Sequence, residues 1–364
     1  MTTGAKRGRT FEVPRRILHD EQTGREVWQI SAPDTPSVAP YMYVTGFTPD
    51  ERCVLYAAGP AKGMQLHRCE IASGETTQLT DRPGVPALGA NLHPNGRELF
   101  YRANGVVYAL DVETLEERVV LDPADHPEIQ EPGEQIMFSR SGRYFSFSYP
   151  YEEGRRAIAR GACDGSGYET VYRYESGTQH LMFCPASDDL MTFSPAPDHQ
   201  QEWDLPDIER SRTYLLDVRE GEIEPFICLP KPFTATHDYW SPGGDRMYFH
   251  KKTRPDWVPT WICALDRRTR EEKTLFGSDT IKLGHSMVNR EETHIVSDCQ
   301  EPGRNELLWI DIAAGAAKVL CWPNSSVAEG QHSHVHPSIS PLGSYVLYTS
   351  DGSGIPQVYL VPLR

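Results

Sequence analysis

Hydrophobic and polar positions alternate along most of this chain, in short stretches broken by polar turns. LHRCEIASGETTQLT, VVYALDVETLEERVVL, TYLLDVREGEIEPFI, TWICALDRRTREEKTL and LLWIDIAAGAAKVL each read as two half-buried antiparallel strands joined by a tight turn. Between them recurs a second unit: an apolar strand, a turn of Ser/Thr-Pro-x-Gly type, and a strand rich in Tyr, Phe, Leu and Val. Its copies are VTGFTPDERCVLYAA (44–58), GANLHPNGRELFYRA (89–103), QIMFSRSGRYFSFSY (135–149) and HLMFCPASDDLMTFS (180–194), followed by HDYWSPGGDRMYFHK (237–251), HSMVNREETHIVSDC (285–299) and HPSISPLGSYVLYTS (336–350). The turn proline or its equivalent falls at 49, 94, 140, 185, 242, 290 and 341, giving steps of 45, 46, 45, 57, 48 and 51 residues. Four short strands in each repeat of about 40–50 residues predict propeller blades, and helical patterns are almost absent. A parallel β-helix has too short a repeat to compete.

The last copy ends with QVYLVPLR, one strand short, while REVWQISA (25–32) precedes the first copy as a free strand. Joining the two closes the ring without an open sheet edge. The chain is therefore expected to be all-β: a single-domain seven-bladed β-propeller over 25–364, closed by an N-terminal strand and preceded by an extension, 1–24.

Charge narrows the partners. There are 36 Lys+Arg against 51 Asp+Glu, a formal charge of −15, which argues against nucleic acid as a partner. An anionic ligand would need a localised cationic pocket. The start, MTTGAKRGRTFEVPRR, is basic but lacks the apolar core of a signal peptide, and no apolar run approaches the ~18 residues of a membrane helix. The eight cysteines form no CxxC pair, and most lie in apolar runs, so buried thiols in a reducing cytoplasm are expected.

Aligning the seven turns exposes candidate chemistry. Five residues before each mark stand Val44, Gly89, Gln135, His180, His237, His285 and His336. Four consecutive blades thus carry histidine at one place, the start of the innermost strand, where equivalent positions converge on the central channel. His334 shares the strand-face parity of His336, with Gln331 just ahead; His332 has the opposite parity and drops out. Two readings remain open at this point: a polar channel whose histidines bind nothing, or a metal site. No cysteine accompanies the histidines, which disfavours a structural zinc knot. Imidazoles with a neutral amide oxygen suit several divalent first-row metals, and ligand type alone does not choose among them.

The motifs resemble the oligogalacturonate lyases, a family of cytoplasmic seven-bladed propellers. The likeness runs from GREVWQIS and VTGFTPD to the last blade. Its specific parts are QHSHVHP (331–337) with YTSD (348–351), GHSM around His285, THDYW (236–240) around His237, and SRTYLLD, which contains Arg212. The resemblance implies a divalent metal, typically manganese, held by His285, Gln331, His334 and His336 at the mouth of the channel. It also implies His237 as base, Arg212 as charge stabiliser and substrate contact, and His180 near the substrate. Val335 and Ser333 stand where the family usually has Pro and Thr, and the loop PAPDHQQEWDLPDIER (195–210) matches it poorly.

The expected reaction is β-elimination on a short oligogalacturonide, giving a 4,5-unsaturated uronate. The C5 proton lies beside a carboxylate, which stabilises an adjacent carbanion poorly, so Lewis-acid help at that carboxylate is valuable. A neutral histidine with a pKa near 7 suits the base, and an arginine fork suits a carboxylate or developing oxyanion. KKTRP (251–255) could add positive charge, although such a run is usually a solvated loop. The alternatives are the same mechanism on a different uronate, which the 195–210 loop would select, and a non-catalytic metal-binding propeller acting as a binding platform.

Overall fold

A computed structural model describes residues 7–44, 46–133, 135–301, 305–328 and 330–364. The first six residues of the predicted extension, and Thr45 of the first repeat, lie outside the described residues. Seven antiparallel sheets follow one another in chain order as the blades of a β-propeller. The blades form because each repeat alternates apolar and polar positions and so makes a sheet with two faces to bury. Apolar clusters accordingly lie between neighbouring sheets. Leu55, Leu66 and Leu79 of blade one meet Leu92, Leu99 and Tyr101 of blade two. Val296, Leu307 and Leu320 of blade six meet Val346, Tyr348 and Val361 of blade seven.

The ring closes as the repeat pattern predicts. In blade seven the sheet runs from Ser338–Ile339 through Tyr345–Ser350 and Gln357–Pro362 to Glu26–Gln29, with Tyr359 opposite Gln29 and Leu360 opposite Trp28. The buried Gln29 and Gln357 amides also bond each other, at 3.1 Å. The stretch before residue 25 adds to both ends of the ring. Arg16–His19 pairs with Glu26–Gln29 as the outer strand of blade seven, and Thr10–Glu12 pairs with Glu75–Gln78 at the outer edge of blade one.

The innermost strands differ from blade to blade. They run over Gly177–Phe183, Phe233–Trp240 and Leu283–Val288 in blades four to six. In blade one the inner strand is interrupted: Ser37–Val38 pairs with Ala57 and Ala58, the chain then leaves the sheet, and Phe47 returns opposite Val54. Tyr41, Met42 and Tyr43 sit on that excursion. The long step in blade four comes from an insertion between Leu190–Ala196 and Thr213–Asp217. All eight cysteines are free, seven of them buried and Cys228 half-buried. Among the described residues no helix is long and apolar enough to cross a membrane.

Candidate functional site

Three of the four aligned histidines, His180, His237 and His285, fall where the inner strands lose register, and His336 lies just before the inner strand of blade seven. Pairing slips between Gln179 and Met182 in blade four, between Thr236 and Tyr239 in blade five, and between Leu283 and Ser286 in blade six. Such bulges turn a side chain away from the regular alternation of the strand. Three of the histidines carry a left-handed backbone: His180 and His237 at φ 53° and His336 at φ 44°. A non-glycine residue there costs of order 1–3 kcal/mol, which the surrounding sheet must offset.

The bulge at His285 and the stretch leading into blade seven bring three rings together. His285, His334 and His336 each offer a nitrogen, and the three nitrogens lie within 4.8 Å of one another. The His285 and His336 ring centroids are 4.2 Å apart, and the His334 ring lies 5.7 Å from His285 and 5.6 Å from His336. His336 is fully buried, and neither of its ring nitrogens has a hydrogen-bond partner. A buried polar atom without a partner is costly, and two on one imidazole point to a missing electrophile. Three converging imidazoles with two orphaned nitrogens fit a divalent cation. Gln331 opens the 3-10 turn Gln331–Ser333 that leads into His334, and its side chain is exposed. His332 is half-buried on the same turn.

The cluster has a supporting layer that the sequence reading did not single out. Asp298, fully buried on the neighbouring strand, accepts from the His285 backbone N–H at 2.6 Å and from its Nδ1 at 3.0 Å. Burial pushes the His285 imidazole well down and the Asp298 carboxyl up, so both move toward neutrality. A proton held on Nδ1 leaves Nε2 as the ligating nitrogen. The Gln300 amide nitrogen lies 3.3 Å from His334 Nδ1, while its own oxygen is buried without a partner. Turning this amide over puts the oxygen on an Nδ1–H and frees Nε2 of His334 as well. Gly284 makes the packing possible, because a Cβ there would sit 2.3 Å from Asp298 Oδ1. An acid inside the apolar run HIVSDC was the available signal, since carboxylates are seldom buried unpaired.

His237 stands beside this cluster and outside it. Its ring centroid is 4.3 Å from that of His285 and 5.7 Å from His250. Burial, reinforced by His285 and Lys252, pushes its pKa well below the usual value. It is therefore neutral at physiological pH, as a base must be. It is not poised near 7, because the crowding that places it beside the other imidazoles also disfavours its protonated form. His250 lies off the repeat phase and is fully satisfied, by Leu283 O at 3.1 Å and Ser286 Oγ at 2.7 Å.

Arg212 and His180 occupy the next sector. Arg212 Nε donates to Asp238 Oδ1 at 2.7 Å in a buried ion pair, and Thr213 Oγ1 donates to the other carboxylate oxygen at 3.1 Å. Burial opposes both charges, but each partner holds the other ionised: Arg212 rises and Asp238 falls. Asp238 is the residue after His237, so this ion pair also fixes the strand that carries the candidate base. Burial pushes His180 down to about 4, helped by Arg212, and its Nδ1 has no partner. Tyr41, from the blade-one excursion, packs against His336 at 4.7 Å, His285 at 5.8 Å and His180 at 6.4 Å.

The two segments with open expectations also reach the site. The 195–210 insertion docks through the buried Gln200, which accepts from Ala235 N at 2.6 Å and donates to Ala235 O at 2.9 Å, two residues before His237. KKTRP departs from a solvated loop. Lys251 and Lys252 belong to the strand Arg246–Thr253, so alternation sends Lys251 outward to Glu272 and Lys252 inward, fully buried. Beside His334 opens a cleft of about 630 Å³ walled by Trp257, Val258, Lys282, Gln300 and Val327.

No family model matches the chain. It is similar to the oligogalacturonide lyase of Pectobacterium atrosepticum, 26% identical, with 99% of this chain and 98% of that protein covered. Among solved structures, the oligogalacturonate lyase of Vibrio parahaemolyticus superposes with a TM-score of 0.86 at 20% identity, covering 99% of both chains. An oligogalacturonate lyase in complex with manganese gives 0.86 at 21%, again covering 99% of both. The structural likenesses show the fold. Together with the whole-length sequence match, the resemblance to the oligogalacturonate lyases read from GHSM, THDYW and QHSHVHP extends over the entire chain.

Proposed function

We propose that the protein is a metal-dependent lyase that cleaves oligogalacturonides by β-elimination. The observation that carries this reading is the division of labour among the histidines: three converge within 4.8 Å, and His237 lies next to them but outside the group. The relatives named as oligogalacturonide lyases, one of them solved with manganese, support the substrate class and the metal.

In this reading His285, His334, His336 and Gln331 hold a divalent cation, with manganese the metal supported by the relative. Such a cation supplies a Lewis acid for a substrate carboxylate. His237 takes the C5 proton, and its depressed pKa keeps it in the neutral form that can accept one. The electron pair released from C5 forms the C4–C5 double bond as the C4–O bond breaks, and the leaving oxygen takes a proton from solvent, giving an unsaturated uronate and a shortened chain. Arg212, held by Asp238, presents a fixed positive charge to the substrate's anionic groups, and His180 lines the same sector. Arg212 and Lys282 place positive charge around the site of an acidic protein, as an anionic substrate requires.

The experiment is incubation with digalacturonate and Mn²⁺, following the ultraviolet absorbance of the unsaturated product with and without chelator. Chelator-sensitive product formation supports the reading, and no product from any uronate oligomer sinks it. The second reading, the same elimination on another uronate, is favoured by the insertion that Gln200 fastens beside His237. Turnover of a different uronate dimer in preference to digalacturonate would select it.

A further inference from the structure

Lys252 takes no part in the chemistry above, yet it is the most unusual cation among the described residues. It is fully buried, and its Nζ has no hydrogen-bond partner. Directly across the ladder stands Thr234, also buried, whose hydroxyl is likewise without a partner. Residues opposite each other in a ladder point to the same face, so two orphaned polar groups share one spot three residues before His237. A third, Arg254 Nε, lies two residues beyond Lys252. Buried donors left in this state imply a partner that arrives from outside.

Nζ lies over the face of Trp257, 3.1 Å from the ring centroid, with the Arg254 guanidinium 4.9 Å from the same ring. Trp257 has a left-handed backbone, φ 65°, and forms a wall of the cleft that His334 and Lys282 also line. The indole thus separates a buried amine from the cleft. Burial, with Arg254 and Arg212 adding to it and Asp198 opposing, pushes the Lys252 amine down to about 6. An arriving carboxylate would restore the ammonium and give it a charge-assisted bond.

Resting on the lyase reading, we propose that Lys252, with the Thr234 hydroxyl beside it, binds a second carboxylate of the uronate oligosaccharide, reached when the Trp257 ring gives way. One carboxylate then belongs to the metal centre and the next to Lys252, so the site measures the spacing of a polyanion rather than recognising one sugar.

The test compares binding of digalacturonate and of monomeric galacturonate to the Mn²⁺-loaded full chain. Each is followed by calorimetry and by tryptophan fluorescence, in wild type and Lys252→Met. Methionine keeps the packing under Trp257 and removes the amine. A charge-assisted bond of about 1.5–3 kcal/mol predicts roughly 10- to 150-fold weaker dimer binding, with monomer binding changed less than about twofold. The dimer-induced fluorescence change should vanish in Trp257→Phe. Dimer affinity in Lys252→Met within twofold of wild type overturns the proposal, as does an equal loss for dimer and monomer, which would mark a merely structural lysine. Should Lys252→Met not fold, Thr234→Val carries the same comparison, with a severalfold loss for the dimer alone expected and no loss overturning it. Wild type that binds but never cleaves digalacturonate sinks the lyase reading. Wild type that cleaves while the variants bind normally sinks only this one.

Discussion

Blades one to three and blades four to seven start from the same repeat and end with different inner edges. At the equivalent position the first three carry Val44, Gly89 and Gln135, and the other four carry histidine. The backbone differs with them. The inner strand of blade two is only Asn91–Leu92, and that of blade three is reduced to bridges at Gly133 and Phe138. Blades four to six have inner strands of seven, eight and six residues, each with a register slip at the histidine. A bulge needs a strand long enough to hold it on both sides. His180, His237 and His285 therefore sit on strands that can hold a bulge, His334 and His336 come from the stretch before blade seven's short inner strand, Ser338–Ile339, and the other half of the ring contributes packing, notably Tyr41 beside the imidazoles.

The sharpest way to break this comparison is to exchange side chains at one register. His237→Ala should lower turnover of digalacturonate by about 10²- to 10⁴-fold, the range for a lost general base, while manganese content after gel filtration stays unchanged. Gln135→Ala, at the equivalent place in blade three, should change turnover by less than about twofold. Equal losses in the two variants would show that the ring is used symmetrically and would undo the division argued here. Next comes the ion pair that steadies the His237 strand. Asp238→Ala leaves the buried Arg212 guanidinium uncompensated and should cost about 3–5 kcal/mol in denaturant unfolding, beyond any loss of activity. A cost under 1 kcal/mol would mean that Arg212 finds water or another partner, and that the pair is not what holds this strand.

A smaller effect is expected one layer out from the metal. Gly284→Ala pushes a methyl into Asp298, and Asp298→Asn removes the acceptor that orients His285. Each should weaken manganese binding by roughly 10- to 100-fold, measured by competition with a chelating dye. Unchanged affinity in both would leave His285 oriented by its strand alone.

Much of this was legible in the residues because a propeller repeats itself. The blade period, the closing strand at 25–32 and the four histidines in phase all follow from aligning one turn seven times. What repetition cannot show is the partner across the ladder or across the blade gap. Asp298 meets His285 across a slipped ladder within blade six, and Asp238 meets Arg212 only where blades four and five dock. Lys252 was visible as part of a basic run. Reading KKTRP as a loop missed that period-2 alternation would send one lysine out and the next one in. The register slips that aim the histidines leave no mark in a single sequence either, since the residues around them are ordinary strand formers. Gln331 stands differently again: its motif is clear, but its side chain is exposed on a turn, and its role as a ligand rests on the resemblance.

The last contrast concerns acid, and it separates scaffold from site. His67, in blade one, is buried away from the histidine cluster, and burial pushes its pKa down to about 4. An unfolded histidine has a pKa near 6.5, so between those values the unfolded chain binds the proton that the folded chain refuses. Its contribution is complete above pH 6.5 and is lost as the pH falls toward 4. A shift of this size corresponds to about 3 kcal/mol at most. His67→Gln should therefore flatten part of the acid limb of a melting-temperature profile recorded in chelator, and leave turnover at neutral pH unchanged. His180→Gln, with an imidazole held near 4 in the active half, should flatten the same limb and also disturb substrate binding. If His67→Gln altered turnover as much as His180→Gln, the line between a packing half and a working half of the ring would be in the wrong place.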